Sequence, residues 1–109
     1  MISHVRQQDI DLWEVWIEYD QFNPKNFGTL YVLGEILTDL KTSQPEIKKT
    51  VSVHQKQLVL QVPERPAGRC RMTEVYYAEP IEDLSQYATI SIYAGSELVA
   101  MFDEIEVMI

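Results

Sequence analysis

The sequence predicts an all-β protein, an antiparallel β-sandwich of six to seven strands with a small closed β-barrel as the alternative, on three observations. Apolar residues recur with a period of two and not 3.6, turn formers separate the short apolar runs at roughly even spacing, and no segment carries a long helical stripe. The 109 residues are expected to form one domain, 1–109, and a chain of this length buries roughly two-thirds of its unfolded surface without staples.

From Asp11 to Tyr19, one face of a strand would carry Trp13, Val15, Ile17 and Tyr19, and the other Leu12, Glu14, Trp16 and Glu18, which places Trp16 on the wetter side. A helix competes here because Trp13, Trp16 and Ile17 also fit a helical stripe, but the β-branched and aromatic content favours a strand. The stretch Asp20 to Gly28 is dense in turn formers, and a second strand runs from Thr29 to Leu37, with Gly34 marking a bulge or a close approach of neighbouring groups.

Residues 39–49 read as a polar connection. A third strand, Thr50 to His54, alternates Val51 and Val53, and a fourth, Gln57 to Val62, alternates Leu58, Leu60 and Val62. No Gly or Asn separates these two, so one long kinked strand is the alternative reading. Pro63 to Arg69 is a loop, and Cys70 to Glu79 resumes strand character. Pro80 is expected to open a single helical turn with Ile81 and Leu84 facing inward.

Near the C-terminus, Ala88, Ile90 and Ile92 alternate, Ala94 to Glu97 turns, and Leu98, Ala100 and Phe102 alternate on return, the pattern of a hairpin. Beyond Phe102 the apolar parity shifts to Ile105, Val107 and Ile109, which a bulge near Asp103 would reconcile. The carboxylates Asp103, Glu104 and Glu106 read as protection of an edge strand.

Asp83, Ser85 and Tyr87, spaced by two ahead of a strand, resemble the Asp-x-small-x-Tyr pattern at the tyrosine corner of immunoglobulin domains. That resemblance implies an immunoglobulin-like or similar Greek-key sandwich, with the tyrosine hydroxyl bonded to upstream backbone. Thr89 stands where the disulfide cysteine of that family would be.

Charge is strongly ordered along the chain. Residues 1–40 carry two basic and seven acidic side chains, 41–71 carry seven and two, and 72–109 carry none and eight, for a net charge of −8. That balance disfavours nucleic acid and anionic membrane as partners. No apolar run approaches the twenty or so residues that cross a bilayer, and Met1 to Arg6 lacks the hydrophobic region of a signal peptide. The lone cysteine, Cys70, excludes an intrachain disulfide. A cytoplasmic location is therefore expected.

Catalytic and metal-binding patterns are sparse, and the sequence reads as a non-enzyme without cofactor or metal. His4 and His54 are too few for a metal site of their own, and no nucleophile elbow, phosphate loop or dinucleotide fingerprint occurs. Cys70 lies between Arg69 and Arg71, which would activate an exposed thiol, but the preferred reading is a small residue turned into the core. Asp20, Asn23 and Asn26 offer oxygen ligands for calcium, yet they match an Asn- and Pro-rich turn better. Paired carboxylates such as Glu82 and Asp83 read as a solvated acidic face.

Two candidate surfaces remain. Six of the eleven aromatic residues fall within the first thirty-one positions; Trp13, Tyr19 and Tyr31 are expected in the core, whereas Trp16 between Glu14 and Glu18 is expected to be available. Such a tryptophan anchors a protein partner or, with Glu14, Glu18 and Phe22, stacks on a glycan. Arg65, Arg69 and Arg71 surround Pro66, Ala67 and Gly68 in a stiff loop suited to capturing carboxylates. The competing reading pairs them with Glu74 or Glu79. The expected function is a protein–protein interaction or structural module that binds copies of itself or a larger assembly, with a carbohydrate-binding module as the alternative.

Overall fold

Strands β1 (Trp13–Tyr19) and β2 (Gly28–Asp39) form an antiparallel hairpin in which Trp13 faces Gly34 and Trp16 faces Tyr31. The computed structural model describes residues 12–42 and 44–108. Six further strands follow: β3 (Lys48–Ser52), β4 (Gln57–Val62), β5 (Cys70–Ile81), β6 (Thr89–Ala94), β7 (Glu97–Phe102) and β8 (Glu106–Met108). They make two four-stranded sheets, a first in the order β5-β2-β1-β8 and a second in the order β3-β4-β6-β7. Among the described residues there is no helix, and the sheets stay open as the two layers of a small β-sandwich.

Each sheet is mixed, where the sequence suggested purely antiparallel pairing. Chain-adjacent strands that share a sheet (β1–β2, β3–β4 and β6–β7) turn back on one another, but β8 runs parallel to β1 and β4 runs parallel to β6. Parallel neighbours cannot be joined by a tight turn. Here the connections between them travel through the opposite sheet.

The alternation read from the sequence becomes the inside and outside of the sandwich. Trp13, Ile17, Leu30 and Val32 of the first sheet meet Leu58, Leu60, Ile90 and Ile92 of the second, all buried. Each such aliphatic side chain contributes about 1.5–3 kcal/mol when taken wholly from water. Gly34 is the close approach its position suggested: a methyl group added there would lie 2.2 Å from Trp13 Cε3.

Four local expectations are corrected. First, β3 spans Lys48–Ser52 and not Thr50 to His54; β3 and β4 are the two separate strands expected, joined by a turn over Val53 to Lys56, where Lys56 adopts φ 50° and its N–H donates to the Val53 carbonyl. Lysine takes a left-handed position that Gly or Asn usually fills, so the usual turn signal is missing. Second, Pro80 extends β5 instead of opening a helix; β5 is an edge strand, where a missing N–H is tolerated. Ile81 is buried as expected, but Leu84 is 47% exposed on the following turn. Third, the parity change after Phe102 is a change of sheet: the chain leaves β7, crosses, and β8 pairs with β1. The bulge of this region lies instead between Ile92 and Tyr93, opposite β7. Fourth, the Tyr87 hydroxyl donates to the Glu79 carboxylate at 2.8 Å, whereas a tyrosine corner would bond backbone. Asp83 holds the turn before it by accepting from the Ser85 N–H at 2.8 Å and its hydroxyl at 2.9 Å.

Glu79 joins the sheets. It lies on the inward parity of edge strand β5, and Lys49 lies on the inward parity of edge strand β3, with Lys49 Nζ 2.9 Å from Glu79 Oε1. Tyr77 also donates to Oε1, and Tyr87 to Oε2. The Glu79 side chain is only 11% exposed. Burial alone would raise its pKa, but the hydrogen bonds from Tyr77, Lys49 and Tyr87 prevail and hold it below the usual carboxylate range. The same burial, reinforced by the Glu79 hydrogen bond and charge, pushes both phenols up.

Two outcomes follow for stability. Gly34→Ala must displace the Trp13 ring and is expected to cost about 1–3 kcal/mol by urea denaturation, as overpacking of cores does. Glu79→Gln is expected to cost about 1.5–3 kcal/mol near neutral pH, the range for hydrogen bonds to a charged group. Because the folded carboxyl is depressed, its contribution is present above the ordinary glutamate range and is lost as pH falls through the lower folded value. The raised tyrosines act at the other end, their contribution fading as pH climbs above the ordinary phenol value of about 10. Denaturation midpoints across pH for wild type and Glu79→Gln test this: the acid limbs should converge, and parallel limbs would refute it.

Candidate functional site

The outward face of the first sheet collects Glu14, Trp16 and Glu18 from β1, Tyr31, Leu33 and Glu35 from β2, Glu74 and Tyr76 from β5, and Glu106 and Met108 from β8. Register brings their aromatic rings together. Trp16 sits directly opposite Tyr31, and the rings stack with centroids 5.4 Å apart and planes 19° apart. Tyr76 faces Leu33 and reaches Tyr31 diagonally, with centroids 6.1 Å apart. Cross-strand pairs of this kind stabilise a sheet, and here they also lay a continuous aromatic track over three strands. Trp16 is half-buried under its stack, while Tyr76 is 58% exposed.

Carboxylates border the track. Glu14, Glu18, Glu35, Glu74 and Glu106 are all exposed, and among the described residues this face holds no Lys or Arg. The hydrogen bond to Glu18 raises the Tyr31 phenol above its ordinary value, with burial and the Glu18 charge acting in the same direction. Tyr31 flanks Trp16 on the β2 side. On the β8 side lies an open groove of about 440 Å3 lined by Glu14, Val15, Trp16, Phe102, Glu106 and Met108.

The structure gathers part of the sequence-derived set and separates the rest. Trp16, Glu14 and Glu18 share the outward face as the alternation implied. Phe22 is 85% exposed on the β1–β2 connection and makes no ring contact among the described residues, so it does not join them. Tyr31 is a track residue and not a core one, and Tyr19 is exposed at the end of β1 with its ring 5.0 Å from Phe27. Tyr76 escaped notice because its neighbour Tyr77 is equally aromatic, and nothing local says which of the two faces inward.

Arg65, Arg69 and Arg71 lie apart from this face. Arg65 borders a cleft of about 280 Å3 between the sheets, with Trp13, Ile36 and Val99 among its walls. Arg69 is exposed beside Gly68, whose φ is 91°. Arg71 donates to the Thr42 carbonyl at 3.0 Å. None of the three forms an ion pair with Glu74 or Glu79 among the described residues, and Glu79 is occupied by Lys49. Cys70 is half-buried and shares the outward parity of Met72, which corrects its expected place in the core.

Elsewhere the candidate ligands are held in turns. Asp20 accepts from the Phe22 N–H at 3.0 Å, and Asn23 Oδ1 accepts from Lys25 N–H at 2.9 Å and Asn26 N–H at 3.3 Å. The described residues contain no group of three or more His, Cys, Asp and Glu side chains placed to hold a metal; His4 lies outside the described residues. Among the described residues no helix is long and apolar enough to cross a membrane. No protein-family model, curated protein or solved structure matches the chain.

The two tryptophans should report these environments separately. Trp16→Phe leaves Trp13, which is buried, so the remaining emission should be blue-shifted and largely protected from acrylamide. Emission that stays freely quenchable in this variant would contradict the assigned faces.

Proposed function

We propose that this chain is a non-enzymatic protein-binding module of the cytoplasm whose contact surface is the outward face of the first sheet, with copies of itself or a larger assembly as partners. The observation that carries this reading is the aromatic track of Trp16, Tyr31 and Tyr76 set among carboxylates, with no cation on the same face among the described residues. Aromatic rings rigid enough to be desolvated at little entropic cost are frequent anchors of protein interfaces, and a ring of exposed carboxylates selects a cationic partner. Neither nucleic acid nor an anionic membrane suits such a face.

A second reading has one observation of its own. The planes of Trp16 and Tyr31 lie only 19° from parallel, with Glu14 and Glu18 beside them, a geometry that also suits stacking on a sugar ring and accepting from its hydroxyls.

Titrating the protein with a short arginine-rich peptide, and separately with a neutral oligosaccharide, distinguishes the two through Trp16 fluorescence. The peptide should quench saturably, weakening as salt shortens the Debye length below about 8 Å. Tyr76→Ala, which leaves the net charge unchanged, should weaken it about tenfold, in the range of an interface anchor. Peptide binding indifferent to Tyr76→Ala would reduce the effect to general attraction and defeat the proposal. Saturable, salt-insensitive quenching by the oligosaccharide would establish the glycan reading instead.

A further inference from the structure

Charge on this molecule is separated more completely than folding requires. Between described residues the opposed segments meet in one ion pair, Lys49–Glu79, while Arg65 and Arg69 remain exposed without a side-chain hydrogen bond or ion pair to any described residue. Glu14 and Glu106 are in the same condition on the opposite charge. Pairing within one molecule would contribute only about 0–1 kcal/mol for each exposed pair, so intramolecular stability gives no reason for the arrangement.

The groove beside Trp16 has the form that a guanidinium fills. Tyr31 covers one flank of Trp16, and the other flank opens toward β8, where Glu106 stands across from Trp16 and Met108 across from Glu18, with Glu14 and Phe102 also on the wall. An arginine entering there stacks its planar head on the indole while its N–H fork meets a carboxylate on either side. Lysine offers neither the plane nor the fork. The chain carries arginines in a form suited to delivery: Arg65 and Arg69 are exposed on the connection between β4 and β5, which Pro63 and Pro66 stiffen.

We propose that this groove receives Arg65 or Arg69 from the 63–69 loop of a second copy of the chain, so that the loop of one molecule completes the acidic aromatic site of the other. The proposal rests on the protein-binding reading of this face and names its partner. A two-fold arrangement satisfies both grooves reciprocally and closes the assembly at a dimer. The segment 41–71, with seven basic and two acidic side chains, supplies the complement to the acidic sheet face within the same sequence.

Sedimentation velocity at low and high salt, on the full chain, tests it by charge reversal. Wild type should self-associate and loosen as salt rises. The double variants Arg65→Glu with Arg69→Glu, and Glu14→Arg with Glu106→Arg, should each weaken association at least tenfold. Mixing the two should restore a salt-sensitive complex, because each reversed loop then meets a reversed groove; that restoration also shows that both variants fold. A monomer at every concentration and salt, an assembly unchanged by either double variant, or no complex on mixing overturns the proposal. In any of those cases the protein-binding reading is judged separately, by the response of peptide binding to Tyr76→Ala.

Discussion

The Glu79 carboxylate, shared among Tyr77, Tyr87 and Lys49, ties the edge of one sheet to the edge of the other along one open side of the sandwich. A two-layer sheet protein must close its flanks against water, and inward-pointing charge on edge strands is one way of doing so while discouraging foreign strand pairing. Such charge is tolerated only when its partners are present. Here two phenols and an ammonium supply them, and among the described residues no buried side-chain polar atom lacks a partner. The cluster also sets the parity of β5. Turning Tyr77 and Glu79 inward turns Tyr76 outward, beside Tyr31, so the aromatic track depends on a contact made on the other side of the same strand.

The two faces of the first sheet therefore differ in kind. Inward, Trp13 lies over Gly34 and packs with aliphatic side chains that fix the spacing of the layers. Outward, rings stack in register while carboxylates surround them and no described cation offsets their field. Five carboxylates thus lie on a surface that is also aromatic, and the described basic side chains sit on β3, on the connections and, for Arg71, at the start of β5. A field of one sign over an aromatic surface favours encounter with the opposite sign and lends specificity more than intrinsic affinity.

Much of this was legible locally. The alternation from Trp13 to Tyr19 assigned Trp16, Glu14 and Glu18 to one face, Gly34 announced a close approach, and the Ala94 to Glu97 hairpin turns at Gly95 with φ 65°, as a two-residue loop requires. Failures came where a residue did something its type rarely does, or where distant strands decided. Lys56 in a left-handed turn left the boundary between β3 and β4 without its usual signal. Pro80 inside a strand looked like a helix start because its edge position could not be seen from the sequence. The shifted parity after Phe102 resembled a bulge because a strand moving to another sheet leaves the same signature.

By itself, the sequence determined that the chain is all-β, which residues of each strand share a side, and that its charges are ordered in blocks. These are consequences of the two-residue repeat of a pleated strand and of composition, both local properties. Only the tertiary structure decided that β8 lies parallel beside β1, that β5 adds Tyr76 to the track begun by Trp16 and Tyr31, and that Glu79 faces Lys49 and not the arginines. Strand order and register are settled by pairing between segments far apart in the chain, and the local alternation is compatible with many such pairings.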